Sequence, residues 1–210
     1  MGNRQLANGN TDDLFRNRHA IIKAAPAASQ VQENLKQALA NATKLEYLDH
    51  RSKLNERVLK ISQELSEINT KCVGASRGAR PPPPRNSRAR TRLIAVNKDI
   101  IDTNEEIVEF NAAQIAKNSQ LLHNGIGLDR ASPQSNAALI ASNTKKAEEI
   151  KERAAANKKL TSELYDATSA NRGRLLANTE LIAKRRSEIL ANHSKIAANQ
   201  ALVAQLISKN

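Results

Sequence analysis

The stretch 107-IVEFNAAQIAKNSQLL-122 decides how this chain is read. Asn111 and Asn118 stand seven residues apart in it, and Asn97 and Asn104 precede them at the same spacing. Asparagine is a poor helix former and a poor core residue, because its amide competes with the backbone and is costly to bury unpaired. A seven-residue recurrence therefore asks what the amide does on one stripe of a helix.

The repeat extends well beyond this stretch. Asn34, Asn41, Asn55, Asn69, Asn97, Asn104, Asn111 and Asn118 share one heptad phase. Asn136, Asn143, Asn157, Asn171, Asn178, Asn192 and Asn199 share a second. An aliphatic residue stands three before many of them, as in Ile94/Asn97, Ile101/Asn104, Val108/Asn111, Ile115/Asn118, Ile140/Asn143, Leu175/Asn178, Ile189/Asn192 and Ile196/Asn199. The pattern places the aliphatic residue at heptad position a and Asn at d, with Ile100, Ile107, Leu121, Leu139 and Leu181 widening the seam at g. Paired polar layers in such a seam fix register at some cost in stability. Asn97, Asn104, Asn111, Asn118, Asn136, Asn143, Asn178, Asn192 and Asn199 are accordingly the expected helix-packing layers. The other reading of the spacing puts Asn at the edge of the seam, half exposed, with a and g packing.

The I/V-x-x-N repeat resembles the Asn-at-d layers of trimeric coiled-coil stalks in adhesins and phage fibres, over roughly residues 94–122 and 136–203. The resemblance implies parallel trimers with polar layers. Ala147, Ala154, Thr161 and Thr168 at position a depart from its pattern. Four helices joined by loops also allow a bundle within one chain.

Working outward, the chain punctuates itself with Gly and Pro. Residues 1–27 read as a polar arm followed by a short helix, with Thr11 as cap and Pro26 as stop. Residues 28–73 contain no Gly or Pro and predict one helix roughly 65–70 Å long; a seam of Leu54, Val58, Ile61, Leu65, Ile68 and Cys72 alternates four and three. Residues 74–92 form an Arg- and Pro-rich linker, 93–123 an Asn-heptad helix and 124–132 a Gly-rich loop. Ser132 and Pro133 are a good helix start, and 133–210 read as one long helix through Gly173. The fold class is all-α: extended helices, as a coiled coil or an elongated bundle.

Composition bounds the function. Of 210 residues 2% are aromatic, none of them Trp, which argues against a large compact core. The net charge of +12 makes nucleic acid or another polyanion a candidate partner. Between Gly74 and Asn97 there is no acidic residue, yet Arg77, Arg80, Arg85, Arg88, Arg90 and Arg92 crowd there. Guanidinium forks bind phosphate and carboxylate, so these six are the expected polyanion or acidic-partner site. The prolines also allow an SH3-type ligand. No interleaved aromatics point to base stacking.

Catalytic chemistry finds no foothold. His19, His50, His123 and His193 are scattered without ligand spacing, Cys72 is the sole cysteine and reads as a buried or semi-buried thiol, and no phosphate loop is present. No enzyme activity and no cofactor are expected. No stretch approaches the ~18 apolar residues of a membrane span, the N-terminus lacks a signal-peptide core, and Leu6 replaces the Ser or Thr that a myristoylated Gly2 prefers. The expectation is an intracellular or virion-internal structural assembly protein, such as a minor capsid or cementing component. Its expected partners are other subunits of a large assembly, with a possible homotrimer, no membrane, and nucleic-acid packaging as the alternative role.

Overall fold

The computed structural model describes residues 2–75 and 87–207, with side chains left out at residues 3, 73–75, 87–89 and 205–207. Among these residues the chain is helical and contains no strand. The helices are α1 (Asn3–Ala24), α2 (Gln30–Ala75), α3 (Ser87–Asn124) and α4 (Pro133–Ile207), with a short 3-10 turn at Leu128–Arg130.

Local chemistry sets the ends. Ser29 precedes α2, its hydroxyl accepting from the Gln32 amide at 3.3 Å, while Gln32 Oε1 accepts from Ala28 N at 2.7 Å. The side chain of Gln32 also reaches the Leu128 carbonyl at 3.1 Å, tying the start of α2 to the α3–α4 connection. Gly125 and Gly127 have φ of 71° and 74°, a left-handed backbone that glycine adopts without a Cβ clash. Ser132 Oγ then accepts from Ser135 N at 3.0 Å, and α4 begins at Pro133. Gly173 does not interrupt α4.

Two boundaries differ from the sequence reading. The expected polar arm is helical, and Thr11 lies inside α1, with its hydroxyl oxygen 3.0 Å from the Ala7 carbonyl. Packing against α3, described below, supplies what the local Gly and Asn propensities do not. Helix α3 starts at Ser87, so Arg88, Arg90 and Arg92 belong to a helix and not to an extended linker. Arg77, Arg80 and Arg85 lie outside the described residues. Cys72, expected buried or half-buried, is exposed.

The chain divides into two compact units. The first comprises Met1–Leu65 and Arg88–Leu164. Its contacts fix the helix directions. Pairings of Glu46 with Lys117, His50 with Phe110 and Arg57 with Glu106 run in opposite order along α2 and α3, so those helices are antiparallel. Contacts from α3 to α1 and from α4 to α2 run in the same order, at constant offsets, so each of those pairs is parallel. The arrangement is up-down-up-down. Three of the chain's four Phe and Tyr side chains gather here: Phe15 lies 5.4 Å from Tyr47 and 6.0 Å from Phe110 between ring centres, and His50 stacks on Phe110 at 3.7 Å.

The second unit comprises Ser66–Ser87 and Tyr165–Asn210. Its described part pairs the end of α2 with α4, through Ser66, Thr70 and Asn171. Along the described chain, buried polar residues outnumber buried apolar ones by eleven to eight, so polar pairing carries much of the specification that apolar packing supplies in an ordinary core.

Candidate functional site

The buried stripe of α3 runs through Val96, Thr103, Ile107, Asn111, Gln114 and Asn118. In heptad terms positions c, g and d face inward. The expected a seam does not: Ile94, Ile101, Val108, Ile115 and Leu122 are 57–69% exposed. Position a lies roughly 60° round the helix from d, which is enough to carry it out of the contact. Within the single chain, position a therefore takes no part in the contact between α3 and its neighbours.

The asparagines that are inside do not form Asn-to-Asn layers. Six of them bond the backbone of a parallel helix instead. Nδ2 of Asn111 donates to the Ala7 carbonyl at 2.9 Å, and Nδ2 of Asn118 to the Leu14 carbonyl at 2.8 Å, both at an offset of 104 residues. On α4, Asn136, Asn143 and Asn157 donate to the carbonyls of Val31, Ala38 and Ser52, each at 2.9 Å and an offset of 105. In the second unit Asn171 donates to the Ser66 carbonyl at 3.1 Å, again at an offset of 105. Heptad-spaced amides thus meet heptad-spaced carbonyls.

The amide oxygen completes the contact at three of these sites, and the rule is local. At each, the residue four beyond the bonded carbonyl supplies a side-chain donor to Asn Oδ1. Thr11 Oγ1 reaches Asn111 at 2.7 Å, Arg18 Nε reaches Asn118 at 2.7 Å, and Thr70 Oγ1 reaches Asn171 at 2.8 Å. Residues four apart share one helix face, so a carbonyl and a donor stand one above the other and the planar amide spans both. Where position i+4 lacks a suitable donor, at Leu35 and Glu56, the buried Oδ1 atoms of Asn136 and Asn157 have no partner.

Arg18 anchors the α1–α3 clasp. It is 1% exposed and donates to the Gln114 carbonyl at 3.1 Å and to Glu46 at 3.0 Å, with Lys117 on the same carboxylate at 2.8 Å. Its guanidinium lies 5.1 Å from the centre of the Phe15 ring. Burial draws its pKa down, and the charge of Glu46 acts against that. Around the Asn157 contact, Arg153 reaches Asp49 at 2.5 Å and Ser52 Oγ at 3.1 Å. Burial raises the Asp49 pKa, but hydrogen bonds from Lys53 and Arg153 outweigh it and hold the carboxyl below its ordinary value. His50 is pushed down, chiefly by burial and then by Arg51.

The nine expected layer residues divide. Asn111, Asn118 and Asn136 are buried, and Asn104, Asn143 and Asn178 are half-buried. Asn97, Asn192 and Asn199 are exposed. The offsets explain the ends of the ladder. An offset of 104 carries Asn97 and Asn104 past the first residue of α1, and an offset of 105 carries Asn192 and Asn199 past Ala75, the end of α2. The breaks at Ile150 and Leu164 stand, by the same offset, opposite Leu45 and Leu59. Thr11, Arg18 and Thr70 were missed by sequence reasoning. The available signal was that Thr11 and Arg18 are spaced by seven, like Asn111 and Asn118.

Of the arginine group, Arg90 is exposed and Arg92 half-buried on the first turns of α3. No acidic residue stands in the first turn of that helix, so its positive N-terminal end carries further positive charge. Among the described residues no group of three or more His, Cys, Asp and Glu is placed to hold a metal ion, and no helix is long and apolar enough to cross a membrane.

These contacts define an all-α chain whose helices are aligned by amide-to-backbone bonding. Comparison with protein-family models, with curated proteins and with solved structures finds no match.

Proposed function

We propose that this chain is a non-enzymatic structural assembly protein, whose long helices brace or cement other subunits of a large particle. A minor capsid or internal component of a virus particle is the setting that best fits a small, basic chain poor in aromatics. The observation that supports the reading is the aliphatic ladder left outside on α3 and again on the last part of α4. A contiguous apolar stripe flanked by polar residues marks a surface made for protein contact. The test is gentle lysis of the source, nuclease treatment and velocity sedimentation. The chain is expected to travel with particles of megadalton mass. Travel at the mass of one or a few chains overturns the assembly role.

A second reading, a nucleic-acid packaging protein, draws on the acid-free run holding Arg77, Arg80, Arg85, Arg88, Arg90 and Arg92. Binding through phosphate contacts falls steeply with salt. Fluorescence anisotropy with duplex and single-stranded probes, across a salt series, tests it. Replacing all six arginines with Gln is expected to abolish binding and leave helicity unchanged.

A further inference from the structure

Two exposed ladders remain after the asparagine clasps are accounted for. The first is Ile94, Ile101, Val108, Ile115 and Leu122 on α3. The second is Leu175, Ile182, Ile189, Ile196 and Val203 on α4, which are 53–67% exposed. Both ladders have five aliphatic rungs over four heptads, so they match rung for rung in either direction, with Val108 and Ile189 at their centres.

Their surroundings carry opposite charge. Over the span of the first ladder, residues 94–122, α3 carries five acidic residues against two basic. Over the span of the second, residues 175–203, α4 carries four basic residues against two acidic. Glu105 lies on the face between Ile101 and Val108, and Arg186 lies at the equivalent place between Ile182 and Ile189; both are exposed. Like paired with like sets acid against acid or base against base, whereas the unlike pairing is complementary.

We propose that the partner of each ladder is a second copy of this chain: the α3 ladder of one copy packs against the α4 ladder of another. The interface has an aliphatic centre and flanks of opposite charge. The inference rests on the assembly reading above and names its first partner.

The test uses the full chain, nuclease-treated, in sedimentation equilibrium. The expected result is association that grows with protein concentration and weakens as salt rises. Ile101→Glu with Ile115→Glu, and separately Ile182→Glu with Ile196→Glu, are each expected to weaken association by at least about tenfold. Helicity and unfolding midpoint stay unchanged, because these side chains face solvent in the single chain. An equimolar mixture of the two variants regains part of the association, since each supplies the ladder the other lacks.

A second measurement does not depend on destabilising anything. In a Cys72→Ser background, Val108→Cys and Ile189→Cys copies are mixed and oxidised. The mixed disulfide is expected well above the twofold excess over each self-linked species that random pairing gives. A chain that stays monomeric at every concentration, a mixture that regains nothing, or preferential self-linking of either cysteine variant overturns the proposal. A monomer in this assay still leaves the role in a larger particle to the sedimentation of native particles, so the two failures are distinguishable.

Discussion

Two stretches of α4 carry the same heptad in opposite surroundings. From Asn136 to Asn171 the asparagine amides bond α2 carbonyls. From Leu175 to Val203 the aliphatic rungs and Asn192 and Asn199 stand in solvent. Among the described residues, what sets the first stretch apart is a parallel helix at an offset of 105, not the repeat itself. A heptad asparagine is thus a contact only where a carbonyl ladder faces it.

The comparison breaks most visibly where a buried charge holds a clasp together. Arg18→Met leaves Asn118 Oδ1 without its donor, removes one of the two cations on Glu46 and is expected to cost about 3–5 kcal/mol. Chemical denaturation measures it, and a loss below about 1 kcal/mol would mean that the Arg18 network does not hold α1 on α3.

The asparagines test the contrast directly. Asn118→Ala and Asn171→Ala are each expected to lose about 1–2 kcal/mol, because the amide's bonds to the parallel helix are lost and, at Asn118, the buried Arg18 Nε is left without its acceptor. Asn192→Ala and Asn199→Ala should stay within about 0.5 kcal/mol of the parent. Equal effects in both pairs would erase the distinction.

Acidification sharpens it further. His50, stacked on Phe110, has a pKa held below the ordinary 6.5, by burial first and by Arg51 next. The unfolded chain therefore takes up this proton at a higher pH than the folded one. Stability is fully present above about pH 6.5 and is lost as pH falls below it towards the folded value. The Asp49 contribution goes later, as pH falls below 3.8 through the lower folded value. Unfolding free energy measured against pH is expected to lose its first slope in His50→Gln and keep the second.

The smallest effect is a gain. Glu56 stands four beyond Ser52, where Thr11 and Thr70 stand relative to Ala7 and Ser66. Glu56→Thr offers Asn157 Oδ1 the donor it lacks; it gives up the pair with the exposed Lys60 and a long 3.9 Å pair with Arg153, which keeps Asp49, and such pairs are worth little. The expected stabilisation is about 0.5 kcal/mol by thermal denaturation.

Much of the fold was legible. An unbroken run without Gly or Pro reads as a long helix, and positive-φ glycines after α3 mark its end. What sequence could not assign was the inward face. Ile101 and Thr103 on α3 are equally compatible with a wheel, yet Ile101 is exposed and Thr103 buried with its hydroxyl on the Asp99 carbonyl of its own helix; further along the same face, Thr11 and Arg18 of α1 meet Asn111 and Asn118. The helical start of α1 was hidden for the same reason: residues such as Asn8, Gly9 and Asn10 weaken a helix locally, and the bonds from Asn111 and Asn118 lie a hundred residues away. Of the arginine group, only its crowding was readable.

The asparagine clasp has a consequence for how this sequence tolerates change. It reads main chain, and every residue on α2 has a carbonyl. Val31, Ala38, Ser52 and Ser66, three kinds of side chain, serve one role. Drift at those positions leaves the acceptor in place, while replacing the asparagine removes the amide or moves it out of place. One side of the contact is therefore permissive and the other strict, and divergent versions of this chain should keep the spacing of their asparagines longer than the identity of what those asparagines hold.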